Sequence, residues 1–311
     1  MLHQHRFRAM NSDVALWLWS DSTLAAARLV SAERTFAQVE AELSRFRPDS
    51  GLSRLNAAAG GPAQPVSPLL FAVLAAARAA AAQSQGLFDP TILTALRRAG
   101  YDRSFELLAA ARHDAQPVAA QPATAQGWRH VRLDAAAGAV QLPAGVGIDL
   151  GGIGKGWTVD QVAQELAPGG AALIDAGGDI RATAPPGGEP WPIAVQDPFD
   201  EGRDLLAFRL ASGAVATSSV GRRRWELGGQ PMHHLIDPRS GRPAEGDLHT
   251  VTVLAPTAVE AEIAAKVALL LGRTAARRWL NQHNLSGVLI GCDGQWQIVG
   301  DLSRRLIPQG A

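Results

Sequence analysis

The run Gly147-Ile148-Asp149-Leu150-Gly151-Gly152-Ile153-Gly154-Lys155-Gly156-Trp157-Thr158-Val159-Asp160 brings together an apolar stretch ending in a carboxylate, five glycines between positions 147 and 156, and one lysine among them. Val159, Val162, Ala163 and Leu166 then repeat at helical spacing. The pattern is a strand, a tight glycine loop and a helix start. Such a loop lets backbone N–H groups approach an anion with the positive end of a helix behind them, and Lys155 adds a compact charge. The chemistry this suits is the binding of a phosphate-bearing ligand. It is not a P-loop: Asp149 stands where the first glycine belongs, and Gly156 follows the lysine in place of Ser or Thr. Nor is it a dinucleotide fingerprint, because Trp157 or Ile153 falls on a required glycine. Without a ligand, a strand-to-helix turn accounts for the glycines equally well.

Four more polar clusters carry chemistry-bearing side chains. Asp175 and Asp179 flank Gly177-Gly178; Thr217-Ser218-Ser219 precedes Arg222-Arg223-Arg224; His233-His234 leads into Asp237-Pro238-Arg239-Ser240-Gly241; Glu260, Glu262 and Lys266 share a late helical segment. In a strand Arg222 and Arg224 share one face and Arg223 points the other way. Adjacent histidines in extended backbone cannot both face one site, and no third ligand at zinc spacing accompanies them. Asp237 to Gly241 reads as a turn by composition. Glu262 and Lys266, four apart, lie on one helix face beside Ile263, Val267 and Leu270. Exposed, such a pair contributes roughly 0.3–0.5 kcal/mol. Partly buried, the two charges constrain each other by about 4 kcal/mol at ~4 Å with an effective dielectric near 20.

The elements that must position these groups are legible in outline. Asp13 to Ser20 alternates as a strand, and a long helical pattern through Leu24, Val30, Phe36, Val39 and Leu43 ends at Arg47-Pro48-Asp49. Pro68 to Ser84 and Thr91 to Ala99 read as helices, separated by the loop Gly86-Leu87-Phe88-Asp89-Pro90-Thr91. Ala109 to Gln126 lacks periodicity and reads as a flexible surface insertion, about residues 109–127. Trp128 to Leu133 with Ala139 to Leu142 resembles a hairpin. Short strands follow over 171–175, 180–184, 192–196, 205–210, 214–217 and 251–254, then helices over 257–271 and 274–283 and a closing hairpin over 285–299. Clustered strands with long helices near both ends predict an α+β fold with a mainly antiparallel sheet, as a single domain over 1–311.

Composition narrows the function classes. The 311 residues are 47% hydrophobic and 19% charged with zero formal net charge, which favours neither nucleic acid nor an anionic membrane. One cysteine, Cys292, excludes a disulfide framework. No apolar run reaches the length of a membrane span and the N-terminus has no signal-peptide core, so the chain as written reads as cytoplasmic. Only two of its 29 lysines and arginines are lysines, Lys155 and Lys266, which marks both as sites needing an ammonium rather than a guanidinium.

The motifs, taken in order, resemble the ApbE family of FAD:protein FMN transferases. They are Met10-Asn11-Ser12; Ser44-Arg45-Phe46-Arg47-Pro48-Asp49-Ser50 with Leu55-Asn56; Gly86 to Thr91; Asp149 to Asp160; Asp175-Ala176-Gly177-Gly178-Asp179; Thr217-Ser218; His234 to Gly241; and the helix Ala261 to Gly272. The resemblance covers roughly Met10 to Ile290. It implies one ApbE-like (T-fold-like) α+β domain that cleaves the pyrophosphate of FAD, attaches FMN to a threonine or serine of a target flavoprotein and releases AMP. It implies an FAD site lined by Met10, Phe46, Leu87, Phe88, Asp89, Asp149, Lys155, Asp179 and Ile236. Lys155, Asp237 and His234 would carry the chemistry, with His234 as the base near the acceptor hydroxyl. Magnesium would be held by the Gly152 carbonyl and by Glu262, at the family's aspartate position. The expected assembly is a monomer or homodimer, and members of the family it resembles are often periplasmic or membrane-anchored.

Departures from the family pattern sharpen these expectations. Asn11 replaces a glycine, and Arg222-Arg223-Arg224-Trp225 departs from a glycine-containing version. Lys266 replaces the family's metal-binding threonine. A charged lysine has no lone pair for a metal, so magnesium binding is expected to be weakened or absent. That departure keeps open the alternative of an FAD-binding protein without transferase activity; a pyrophosphatase giving FMN and AMP is a further alternative.

Overall fold

The computed structural model describes residues 1–109, 126–184 and 188–308, so the expected insertion falls largely on residues outside the described ones. The chain divides into two compact units. The first comprises Met1–Ala37, Lys155–Ser219 and Gly246–Ala311; the second comprises Gln38–Gly154 and Val220–Glu245.

The first unit is built on an eight-stranded antiparallel sheet. Its spatial order is Leu2–Ala9, Ser12–Trp19, Ala171–Ala176, Asp179–Thr183, Gly213–Ser219, Leu248–Ala255, Ser286–Gly291 and Trp296–Val299, which is also the order along the chain. Period-two alternation sends side chains to opposite faces. Val14, Leu16, Leu18, Ala172, Ile174, Ala214 and Ala216 pack with Val159, Val162, Ala163 and Leu166 of the helix Gly154–Leu166 and with Ala258 and Ala261 of the helix Ala258–Leu271. Trp17, Leu173, Ala182, Val215, Leu254 and Val288 face the other way, onto a three-stranded sheet through Trp191, Ile193, Phe208 and Leu210. The expected α+β class and antiparallel sheet are therefore those observed.

The second unit is mainly helical, with Gly51–Ala57, Pro68–Gln83, Leu93–Arg98 and Phe105–Ala109 beside short paired strands. Leu96, Ala99, Tyr101 and Leu108 form one cluster with Trp225, Leu227, Met232 and Ile236. Ser50 and Ser67 cap their helices by accepting the N–H of Ser53 and Leu70.

Two local expectations need correction, and one strand lies outside the sequence expectations. Leu2–Ala9 is an edge strand without apolar alternation, since His3, His5 and Phe7 share its more buried face. Gly127–His130 forms a 3-10 turn, so only Arg132–Asp134 pairs with Ala139–Gln141. The arginine run is not one strand: only Arg224 enters Arg224–Leu227, and Arg223 turns the chain with φ +50°.

Candidate active site

In the first unit four charged side chains converge. Lys155 stands in the first turn of the helix Gly154–Leu166 and forms an ion pair with Asp179. Asp179 is 2% exposed and begins its strand directly after a two-glycine turn. Gly177 and Gly178 have φ of +64° and +94°, Asp175 accepts the N–H of Gly178 at 2.8 Å, and a Cβ at Gly177 would lie 2.9 Å from Ser12 Oγ. The turn that presents Asp179 thus requires glycine.

Glu262, 3% exposed, has both oxygens engaged. Oε1 accepts from Lys266 Nζ at 3.2 Å, and Oε2 accepts the Gly156 N–H at 3.0 Å. Asp160 places the helix that carries Glu262 and Lys266, accepting the N–H groups of Ala258 and Val259 at 2.9 and 3.0 Å. Burial pushes the Asp179 carboxyl up to about 6, against the pull of the Lys155 ammonium and with a further push from Glu262. Burial would also raise Glu262, but Lys266, Lys155 and the Gly156 N–H together hold it below the usual glutamate range.

In the second unit, the loop carboxylate is fixed from several sides. Asn56 brackets Ile148, accepting its N–H at 2.7 Å and donating to its carbonyl at 2.9 Å. The Asp149 N–H donates to the Pro90 carbonyl, and Asp149 Oδ1 accepts the Gly151 N–H at 2.9 Å. Its Oδ2 meets Arg45 Nε at 2.6 Å. Arg45 is 5% exposed at its side chain, with its guanidinium 4.1 Å from the ring centre of Phe46 and 4.6 Å from that of Tyr101. Arg45 Nη2 is buried without a hydrogen-bond partner among the described residues. Tyr101 also lies 5.3 Å from Trp225, whose Nε1 donates to the Ala99 carbonyl. Sequence alone marks Asp149 but assigns no role to Arg45, Tyr101 or Trp225, because a single residue far away in sequence leaves no spacing signal.

The remaining expected site residues are distributed as follows. Met10 belongs to the first unit, turns with φ +52° and packs against its core. Asp89 accepts from the N–H and hydroxyl of Thr91, a local turn, and burial raises its carboxyl. Phe88 and Ile236 are buried, Leu87 is half-buried and Phe46 is 38% exposed. His234 is half-buried, whereas His233 is tied to the Ala244 carbonyl at 3.0 Å. Asp237 is held by Arg239 in a two-pronged ion pair at 2.9 and 2.7 Å. Gly152 lies in the glycine loop of the second unit, and Glu262 in the first.

These donors do not suit a divalent cation as they stand. Each Glu262 oxygen already accepts a hydrogen bond, and Lys266, which sits against it, offers only N–H groups.

The sequence profile of the ApbE family matches residues 10–289. The chain belongs to the ApbE family. An FAD:protein FMN transferase of Treponema pallidum is 34% identical over 76% of this chain and 68% of its own length. One from Salmonella typhimurium is 29% identical over 81% and 73%. The ApbE protein of Thermotoga maritima shares the fold with a TM-score of 0.87 at 23% identity, covering 99% of this chain and all of that one. The flavin transferase ApbE of Vibrio cholerae superposes with a TM-score of 0.80 at 22% identity over 98% and 100%. Within this ApbE chain no helix among the described residues is long and apolar enough to cross a membrane.

Proposed function

We propose that this chain is an FAD:protein FMN transferase acting on a target protein. The observation that carries the reading is the agreement of two facts. The chain belongs to a family whose relatives at 29–34% identity bear that name. In addition, its only two lysines each pair with a buried carboxylate, Lys155 in the first turn of the helix that follows the glycine loop and Lys266 on the helix Ala258–Leu271.

The reaction joins the hydroxyl oxygen of an acceptor threonine or serine to the phosphorus on the FMN side of FAD. The bond from that phosphorus to the bridging oxygen breaks, AMP leaves with the bridging oxygen, and the hydroxyl proton passes to a base. Phosphoryl transfer of this kind is chiefly positioning and charge neutralisation. Lys155 is the group we assign to the diphosphate, with Asp179 anchoring its ammonium. His234 is the base we assign to the acceptor hydroxyl. Asp149, fixed by Arg45 and the Gly151 N–H, shapes the loop, and the partly exposed ring of Phe46 offers flat apolar surface to a flavin. Asp237 orders the turn after His234.

The test is to mix purified protein with FAD and to co-express it with flavoproteins from its source. FMN bound covalently to an acceptor, with stoichiometric AMP, is the expected result. FAD held without AMP release in the presence of a flavinylatable acceptor would reduce the chain to a flavin binder. AMP with free FMN alone would make it a pyrophosphatase.

A further inference from the structure

The chain uses arginine for all its permanent side-chain cations except two, and both exceptions belong to one cluster. Lys155 meets Asp179, Lys266 meets Glu262, and the two carboxylates are 2% and 3% exposed. Each carboxylate also feels the more distant ammonium. The room beside Glu262 is narrow. A Cβ on Gly156 would approach Ala258 O to 2.8 Å and Glu262 Oε2 to 3.0 Å. A guanidinium is a wide planar fork and an ammonium a compact point charge, and it is an ammonium that stands on the other oxygen of Glu262. A divalent ion on Glu262 would bind an oxygen that already accepts from Lys266 or from Gly156, and would sit beside the Lys266 ammonium.

We infer that the Lys266 ammonium is a built-in cation that takes the place of a divalent metal beside Glu262 and, with Lys155, neutralises the diphosphate of FAD, so that this chain binds its substrate without magnesium. The inference rests on the transferase reading for its substrate. Its physical core is a fixed charge that needs no metal concentration to be present. Asp179 and Glu262 hold the two ammonium groups, so little reorganisation accompanies binding.

Calorimetry on metal-stripped protein tests it in two arms. In the first, magnesium chloride is titrated into protein alone. Wild type should give no saturable heat at millimolar magnesium, whereas Lys266→Thr should gain a saturable site. In the second, FAD is titrated in EDTA and in millimolar magnesium. Wild-type affinity should agree within about twofold between the buffers; Lys266→Thr should bind about tenfold or more weakly in EDTA and recover with magnesium. The wild-type arms need no variant to fold, and circular dichroism checks the variant. Saturable magnesium binding by wild type, FAD binding that requires magnesium, or Lys266→Thr with wild-type affinity in EDTA would each overturn the inference while leaving the transferase reading intact. Wild type that takes up no FAD in either buffer overturns the transferase reading, and the role given to Lys266 falls with it.

Discussion

Gly156 donates its backbone N–H to Glu262 Oε2 at 3.0 Å, at a separation that no side chain at position 156 would permit. The added Cβ of Gly156→Ala would meet the Ala258 carbonyl at 2.8 Å, and backbone cannot swing aside as a side-chain tip can. The variant should lose about 1–3 kcal/mol of stability, read from the urea midpoint. An unchanged midpoint would show that the two helices have slack here.

Arg45 and Asp149 form a buried pair, with the guanidinium also against two rings. Asp149→Asn strands the arginine charge and should cost about 3 kcal/mol or more. Arg45→Lys should fail to restore the wild type, because an ammonium cannot stack on Phe46 and Tyr101 as a guanidinium does. Pairing Arg45→Met with Asp149→Asn should cost less than the sum of the single changes, and strict additivity in this double-mutant cycle would refute the coupling.

Asp179 supplies a pH dependence. Its carboxyl is pushed up to about 6 by burial, in the company of Lys155, Glu262 and Lys266. An unfolded aspartate loses its proton near pH 4. Between those values the folded chain holds a proton that the unfolded chain has released. Stability from this group is therefore complete below about pH 4, declines as pH rises toward about 6 and levels off above it. Denaturation from about pH 4 to about pH 7 should show a shallower fall for Asp179→Asn than for wild type. Asp89 and Asp160 are also raised by burial, so the difference between the two proteins, not the wild-type curve alone, isolates Asp179.

Lys155→Met should weaken FAD binding by about tenfold or more, since it removes the ammonium and leaves Asp179 buried without its cation. Lys155→Arg should not rescue it fully, because a planar fork does not replace a point charge in this turn. FAD titration followed by flavin fluorescence reads both. Wild-type affinity in Lys155→Met would remove Lys155 from the site.

The sequence made the fold legible where burial is one-sided. The alternation of Val14, Leu16 and Leu18 and the helical spacing of Val159, Val162, Ala163 and Leu166 record the faces they bury. Leu2–Ala9 escaped because an edge strand with exposed positions along its length has no apolar face to reveal. The Glu262–Lys266 pair was readable from its four-residue spacing, and the glycine turns from their composition. Arg45 against Asp149 and Tyr101 against Trp225 were not, because tertiary packing alone joins residues so far apart in sequence. The same holds for the two hydrogen bonds between Asn56 and Ile148, which fix where the loop begins.

The scarcity of lysine has a practical corollary. Among these 311 residues the side-chain primary amines are those of Lys155 and Lys266, 17% and 20% exposed. Any acylating label, carbamylating agent or amine cross-linker that modifies a side chain of these residues must therefore react within the charge cluster itself. For this protein a general amine reagent becomes a site-directed probe, and FAD protection against it becomes a footprint.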